Sequence, residues 1–307
     1  MVKRQTYRSV TWVDVESPTE EEVESLVKEY KLHPLLGEEL VERSVKPKVE
    51  VYKNCMYLVL HFPIRTQIKG KYFIVEKEVD FIVGRDFIIT TKYDTVEPLH
   101  NFSKIFEVNS ILDKSDFGDN AGIILYYMLK RLYKNLSSEL EGVKDELGHA
   151  EAKIFADEEK DMVIRLSHIA KELIDFNQML KRHGDILDIV LSANTEAFFE
   201  SDFKYYIQDI RAYYSKILEK ASNQKELLTD LRETNYSLLS TKQNETTKTL
   251  TIIAFIALPM SLIANIFTMN TAHTPIVGGS YDFEIIVGMM VFLTIIAISF
   301  SKYKKWI

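Results

Sequence analysis

The sequence predicts an α+β domain followed by a long stalk helix and two C-terminal transmembrane helices. Three observations lead there. Strand-like runs are confined to roughly the first hundred residues. No glycine or proline occurs between Gly184 and Pro259. And although the mean hydropathy is only -0.09, the chain is almost entirely apolar from Leu250 onward.

The first helix is expected to open at Ser17-Pro18-Thr19-Glu20, with Ser17 as N-cap, the proline at the first helical position and a glutamate placed for a capping box. It should run to about Tyr30, and a short helix follows Pro34. Val49–Tyr52, Met56–Phe62, Tyr72–Val83 and Phe87–Thr91 read as strands. Val79, Phe81 and Val83 alternate with Asp80 and Ile82, the pattern of a half-buried strand. Gly84-Arg85-Asp86 reads as a hairpin turn. From about Thr95 the chain turns helical, with a break near Ser192–Ser201. Nothing then stops a helix from Asp202 to Thr268, which at ~1.5 Å per residue is roughly 100 Å long. The alternative is two helices broken near Asn223-Gln224 or Ser237.

Leu250–Phe267 carries no charge and, with its flanks, reaches the ~20 residues needed to cross a ~30 Å hydrocarbon core. Ile285–Phe300 is shorter, with Tyr281, Phe283, Tyr303 and Trp306 as interfacial anchors. Lys242 and Lys248 precede the first span and Lys302, Lys304 and Lys305 follow the second, while the loop between holds Asp282 and Glu284 but no Lys or Arg. The positive-inside rule puts both termini in the cytoplasm and makes this a multi-pass protein of the cell membrane, in contact with its lipids. The expected layout is a cytosolic α/β and helical domain over 1–200 and a stalk helix over 201–268, whose membrane part is about 249–268. An outer loop over 269–284, a second span over 285–301 and a basic cytosolic tail over 302–307 complete it.

The composition excludes several classes. A net charge of -7 argues against nucleic acid as partner, which requires a basic face. The single cysteine, Cys55, permits no internal disulfide and suits a reducing compartment. The N-terminal MVKRQTYRSV has no apolar run, so no cleaved signal peptide is expected. Phosphate-binding glycine loops, nucleophile elbows and zinc-protease motifs are lacking, and the seven histidines are scattered, so an enzyme is not expected.

Asn244, Thr247, Leu250, Thr251, Ala254, Leu258, Ser261, Asn265 and Thr268 recur at steps of three and four, on one helix face. Polar side chains at membrane depth face protein or a water-filled path. One helix cannot enclose a pore, so such a path requires a symmetric ring of copies. Its amide and hydroxyl oxygens, separated by apolar collars at Leu250 and Leu258, suit a cation that keeps much of its water, as Mg²⁺ does. The alternative is that these polar groups glue helices together.

The stretch NETTKTLTIIAFIALPMSLIANIFTMN, Asn244–Asn270, resembles the pore helix of the CorA family of magnesium and divalent metal-ion transporters, which ends in Gly-Met-Asn after a mid-helix proline; Pro259, Met269 and Asn270 match in place. TWVDV at Thr11–Val15, LHPLLGEEL at Leu32–Leu40, KPKVEVY at Lys46–Tyr52 and the closing KYKKWI extend the resemblance over nearly the whole chain. It implies a funnel-shaped homopentamer with an α/β sandwich in the cytosol, the stalk helix lining the pore, and Mg²⁺ as transported and regulatory ion, with Co²⁺, Ni²⁺ or Zn²⁺ as alternatives. It implies a selectivity filter at Thr268, Met269 and Asn270, an inner asparagine ring at Asn244 and apolar gates at Leu250 and Leu258. It further implies gating by cytosolic metal held between protomers by Glu39, with Glu38 beside it, and Asp209.

Two departures fall at the entry. Thr268 replaces the motif's glycine, and Ala272–Gly279 does not resemble the Met-Pro-Glu-Leu loop of magnesium-transporting members. A ZntB-like Zn²⁺ transporter, or a membrane metal sensor or scaffold that transports nothing, are the other readings. His273 in the loop is either a soft-metal contact or simply solvated.

Overall fold

The first helix starts two residues later than expected. In the computed structural model, which describes residues 2–112, 120–193, 199, 202–269, 276 and 278–304, Thr19 is the N-cap of α1 (Glu20–Glu29). Its hydroxyl accepts from the Glu22 amide and the Glu22 carboxylate accepts from the Thr19 amide, a complete capping box. Ser17 instead takes the left-handed turn, φ 49°, and its amide donates to the Lys92 carbonyl. In α2 (Pro34–Val41) the proline occupies the first turn, where its missing N–H costs nothing, and the His33 ring caps the Leu35 amide.

Six strands form one mixed sheet: β1 (Val2–Tyr7), β2 (Val10–Glu16), β3 (Lys48–Val51), β4 (Met56–Ile68), β5 (Lys71–Val83) and β6 (Phe87–Lys92), in the order β1-β2-β6-β5-β4-β3. Only β2 and β6 pair in parallel. The hairpin turn at Gly84-Arg85-Asp86 forms as expected, closed by the Gly84 amide on the Phe87 carbonyl. β1 and β2 lie outside the runs read as strands, and the 78–83 end of β5 is buried throughout and not half-buried. Asp80 and Ile82 are as deeply enclosed as Val79, Phe81 and Val83, because the sheet is covered on both faces. Tyr57, Val59, Ile82 and Ile89 pack with Val23, Leu26, Leu36 and Leu40 of α1 and α2. On the opposite face Trp12 meets Phe102 and Phe106 of α3 (Glu97–Leu112), and Phe62 meets Tyr133 of α4 (Ala121–Ile154) and His183 of α5 (Glu159–Ser192).

His183 has no exposed surface. Its Nε2–H donates to the His61 carbonyl at 2.9 Å, so its Nδ1 accepts from the Tyr133 hydroxyl, also at 2.9 Å. Burial lowers its pKa to about 4, which keeps the imidazole neutral. Next to it, Gly184 admits the ring of Tyr214, whose oxygen would lie 2.9 Å from any Cβ there.

That tyrosine belongs to α6 (Phe203–Thr268), a single helix of 66 residues. It runs unbroken through Asn223-Gln224 and Ser237. Gln224 is no helix breaker: its buried amide donates across to the Leu140 carbonyl of α4 at 2.6 Å. The chain divides into two compact units, Met1–Arg232 and Glu233–Ile307, with the boundary inside α6. The second unit pairs the C-terminal part of α6 with α7 (Asp282–Tyr303). Both helices contain stretches long and apolar enough to cross a membrane, with mean hydropathies of 2.2 and 2.4, and almost none of that surface is buried within the chain. The core helix of a soluble protein would bury such a stretch.

Candidate functional site

In the second unit α7 packs on one side of α6. Phe255 meets Phe300, the Thr294 hydroxyl donates to the Met260 sulfur at 3.3 Å, and Ile256 and Pro259 face Leu293 and Ile296 across an apolar cavity of about 320 Å³. At 3.6 residues per turn, the face carrying Asn244, Thr247, Leu250, Thr251, Ala254, Leu258, Ser261, Asn265 and Thr268 lies on the opposite side. Every one of these residues is exposed. Leu250 and Leu258 are the large apolar members, 61% and 68% exposed.

The hydroxyls on this face are not neutral decoration. Thr251 donates its proton to the Thr247 carbonyl at 2.8 Å, and Thr268 donates to that of Asn265 at 3.0 Å. A hydroxyl so committed leaves its lone pairs free to accept from water. Met269 follows the last helical residue and is exposed. Asn270 and His273 lie outside the described residues. At the other end of the connection, Asp282 accepts from the Gly278 and Phe283 amides at the start of α7.

In the first unit, Glu38 and Glu39 stand on α2. Glu39 pairs with the ammonium of Lys48, which also lies 3.5 Å from Glu50. Glu38 is exposed and lines a groove between α1 and α2 with Glu20, Glu24 and Glu42. Asp209, on α6, accepts from the Tyr126 hydroxyl at 2.7 Å and from Lys130 at 3.3 Å. The Tyr126 hydrogen bond, with Lys130 behind it, holds the carboxyl below the usual range. Both bonds fall on Oδ2, so Oδ1 is open. An ionised, accessible carboxylate oxygen is the ligand a hard divalent cation takes.

Glu38 and Glu39 stand on α2 and Asp209 on α6. Among the described residues no three His, Cys, Asp or Glu side chains gather as a metal cage. Sequence reasoning passed over the cationic partners of these acids. Lys48 and Lys130 reach Glu39 and Asp209 only through folding, and no local pattern marks them.

The domain also holds charge unrelated to this set. Arg65 enters a buried pocket of acids, paired with Glu146 and with Glu172 at 2.9 Å, while its amide donates to Glu139 at 2.9 Å. Its guanidinium stacks 3.6 Å over the Tyr72 ring. Burial raises the Glu139 carboxyl to about 7.

Comparison with known proteins agrees with this architecture. The chain is 24% identical over 301 residues to the cobalt/magnesium transport protein CorA of Thermotoga maritima, covering 97% of this chain and 83% of that one. It is 21% identical to the protein of the same description from Methanocaldococcus jannaschii, over 98% and 92% of the two chains. The complete structure of the CorA magnesium transporter from M. jannaschii superimposes with a TM-score of 0.82 at 19% identity, covering 97% and 92%. The model of the CorA-like Mg²⁺ transporter protein family matches residues 7–302. The chain belongs to the CorA-like Mg²⁺ transporter family.

Proposed function

We propose that this chain moves Mg²⁺ across the cell membrane through a homopentameric pore, and that cytosolic metal gates the pore. One observation carries the reading. The face of α6 that turns away from α7 is exposed and alternates oxygen-bearing side chains with the two leucine collars. Lipid offers no partner for those oxygens, and a ring of identical faces does. No full charge lies on that face within the apolar stretch, so the ion is held by dipoles and keeps most of its water. Mg²⁺ surrenders water reluctantly, and Co²⁺ and Ni²⁺ are alternative cargo. Lys242 and Lys248 precede the first span and Lys302 and Lys304 follow the second, which by the positive-inside rule supports a cytoplasmic location for both termini.

In this reading Asn270 and Met269 receive the hydrated ion at the outer mouth, Thr268 adds a ring of lone pairs, and Asn244 forms the inner ring. Glu39, with Glu38, faces Asp209 of a neighbouring protomer. An ion bridging them cancels their repulsion and holds the ring closed, and its loss lets the subunits part.

The test is uptake into liposomes holding the purified protein, with Mg²⁺, Co²⁺, Ni²⁺ and Zn²⁺ in parallel and with an Asn270→Ala variant. Mg²⁺ uptake that the variant abolishes is the expected result. Uptake of Zn²⁺ alone assigns the cargo to the ZntB-like reading. No uptake of any ion at low internal Mg²⁺ leaves a sensor or scaffold.

A further inference from the structure

Between α3 and α4 of the first unit lies a cavity of about 500 Å³, within the ~300–1,000 Å³ range of small-molecule sites. Lys130, Arg131, Lys134 and Tyr127 line it from α4, and Pro98 and Asn101 from α3. On α4 the four residues are spaced by three and four, so they share a face. Like charges at that spacing destabilise a helix. The chain nonetheless carries net charge -7, and among the described residues no carboxylate pairs with Arg131 or Lys134. Both are exposed at the cavity wall. This concave positive site on an acidic protein has Asn101 as an uncharged donor and the flat surfaces of Tyr127 and Pro98 at its side. Those groups match a compact polyanion of oxygens joined to an apolar ring system.

We propose that this cavity binds a soluble organic polyphosphate of the nucleoside-triphosphate class, and that its phosphates draw the Lys130 ammonium away from Asp209. Lys130 links the cavity to Asp209. It is the cavity wall's one cation that also touches Asp209, at 3.3 Å. A phosphate bearing two charges outcompetes a single carboxylate for it. Asp209 then loses a cation and becomes a stronger ligand for a divalent ion. Anion and cytosolic metal thus bind with positive coupling, and the coupling is reciprocal. This second half rests on Asp209 being a metal ligand, as proposed above; the site itself does not.

The experiment uses the full chain in phosphatidylcholine nanodiscs. Binding of ATP, pyrophosphate and inorganic phosphate is measured by calorimetry with metal chelated. The same titrations are run on an Arg131→Gln/Lys134→Gln variant and on Lys160→Gln as a surface-charge control. ATP is expected to saturate a single site that weakens about tenfold or more in the double variant and is unchanged in the control. Absence of saturable ATP binding, or equal binding by the double variant, overturns the site. Displacement of ATP by phosphatidylglycerol in the discs, with no soluble phosphate retained, overturns it in favour of a lipid headgroup. The free Mg²⁺ concentration giving half-maximal protection from proteolysis, corrected for the Mg²⁺ that ATP holds in solution, is then compared with and without ATP. It is expected to fall a few-fold with ATP. If ATP binds and this midpoint stays fixed, the coupling is overturned. If Mg²⁺ never protects, the metal-sensing reading fails, while calorimetry still decides the site.

Discussion

The ammonium of Lys130 on α4 stands 3.3 Å from the carboxylate of Asp209 on α6. Lys48 holds Glu39 in the same way. Glu39 and Asp209, two of the acids proposed to take cytosolic metal, therefore each already have a cation within their own chain, and a divalent ion must displace or outweigh it.

The first prediction follows from that competition. Lys130→Gln keeps the packing of the aliphatic stem and removes the charge. The Mg²⁺ concentration that half-protects the protein from proteolysis should fall roughly two- to fivefold, the worth of one partly exposed ion pair. Asp209→Asn should raise it or abolish protection. A Lys130→Gln protein that needs more Mg²⁺ would mean that the lysine supports the site and does not compete for it.

A second prediction concerns the core of the α/β unit. Arg65 neutralises Glu146 and Glu172, and all three side chains are at most 15% exposed. Arg65→Met leaves Glu172 buried without its cation and Glu146 with only Arg165 at 3.4 Å, at a cost of about 3–5 kcal/mol. Chemical denaturation of the variant should show that loss. Arg65→Lys should recover only part of the stability, because an ammonium cannot bridge two carboxylates and stack on Tyr72 at once.

What was legible in the sequence, and what was not, divides along sequence distance. The spans, the polar face of α6 and the Gly84 turn are local periodicities, readable within a dozen residues. β1 and β2 escaped because Lys3, Arg4, Gln5, Asp14 and Glu16 break the apolar alternation, and their partners explain why the fold tolerates it. Asp14 is paired with Lys92 at 2.6 Å across the parallel contact, and Lys3 reaches Glu107 of α3 at 3.0 Å. Asp80 looked solvent-facing by alternation. It is buried because α1 and α2 cover that face, with Thr91 donating to it at 2.9 Å. Arg65 gathers acids from two different helices, and no spacing rule connects them. Glu38, Glu39 and Asp209 are singled out by family resemblance alone, since a glutamate pair on a short helix is by itself an ordinary solvated face.

Stability should also depend on pH through Glu139. Its folded pKa of about 7 lies above the usual value of 4.5, because burial outweighs the help of the Arg65 amide and Asn135. The folded state thus binds the proton more tightly than the unfolded chain. The resulting stability is fully present below pH 4.5 and is lost as pH rises through about 7. Glu139→Gln keeps an acceptor for the Arg65 amide and cannot ionise. Relative to the parent its melting temperature should match near pH 4.5 and rise above it by pH 8. Parallel melting curves across that range would rule out Glu139 as the titrating group.

The leucine collars give the last prediction. An uncharged pore closes most economically by excluding water, and a ring of large apolar side chains does this without any moving part. Leu258 is 68% exposed on the α6 face opposite α7, between Ala254 and Ser261, where it has no partner inside one chain to satisfy. Leu258→Ser would add a hydroxyl at the level where the ring should be dry. Lowering the dehydration barrier by only about 1.4 kcal/mol raises flux tenfold. Uptake under closing conditions, with internal Mg²⁺ high, should therefore increase by about that factor or more, while the basal rate at low internal Mg²⁺ changes little. Ile295→Ser is the control. That residue is 58% exposed on α7 and should face lipid, so the same loss of apolar bulk there should leave flux unaltered. Comparing Leu250→Ser with Leu258→Ser then identifies the tighter collar as the one whose substitution leaks more. If all three variants leak alike, the polar face of α6 packs against other helices and the ions take another route.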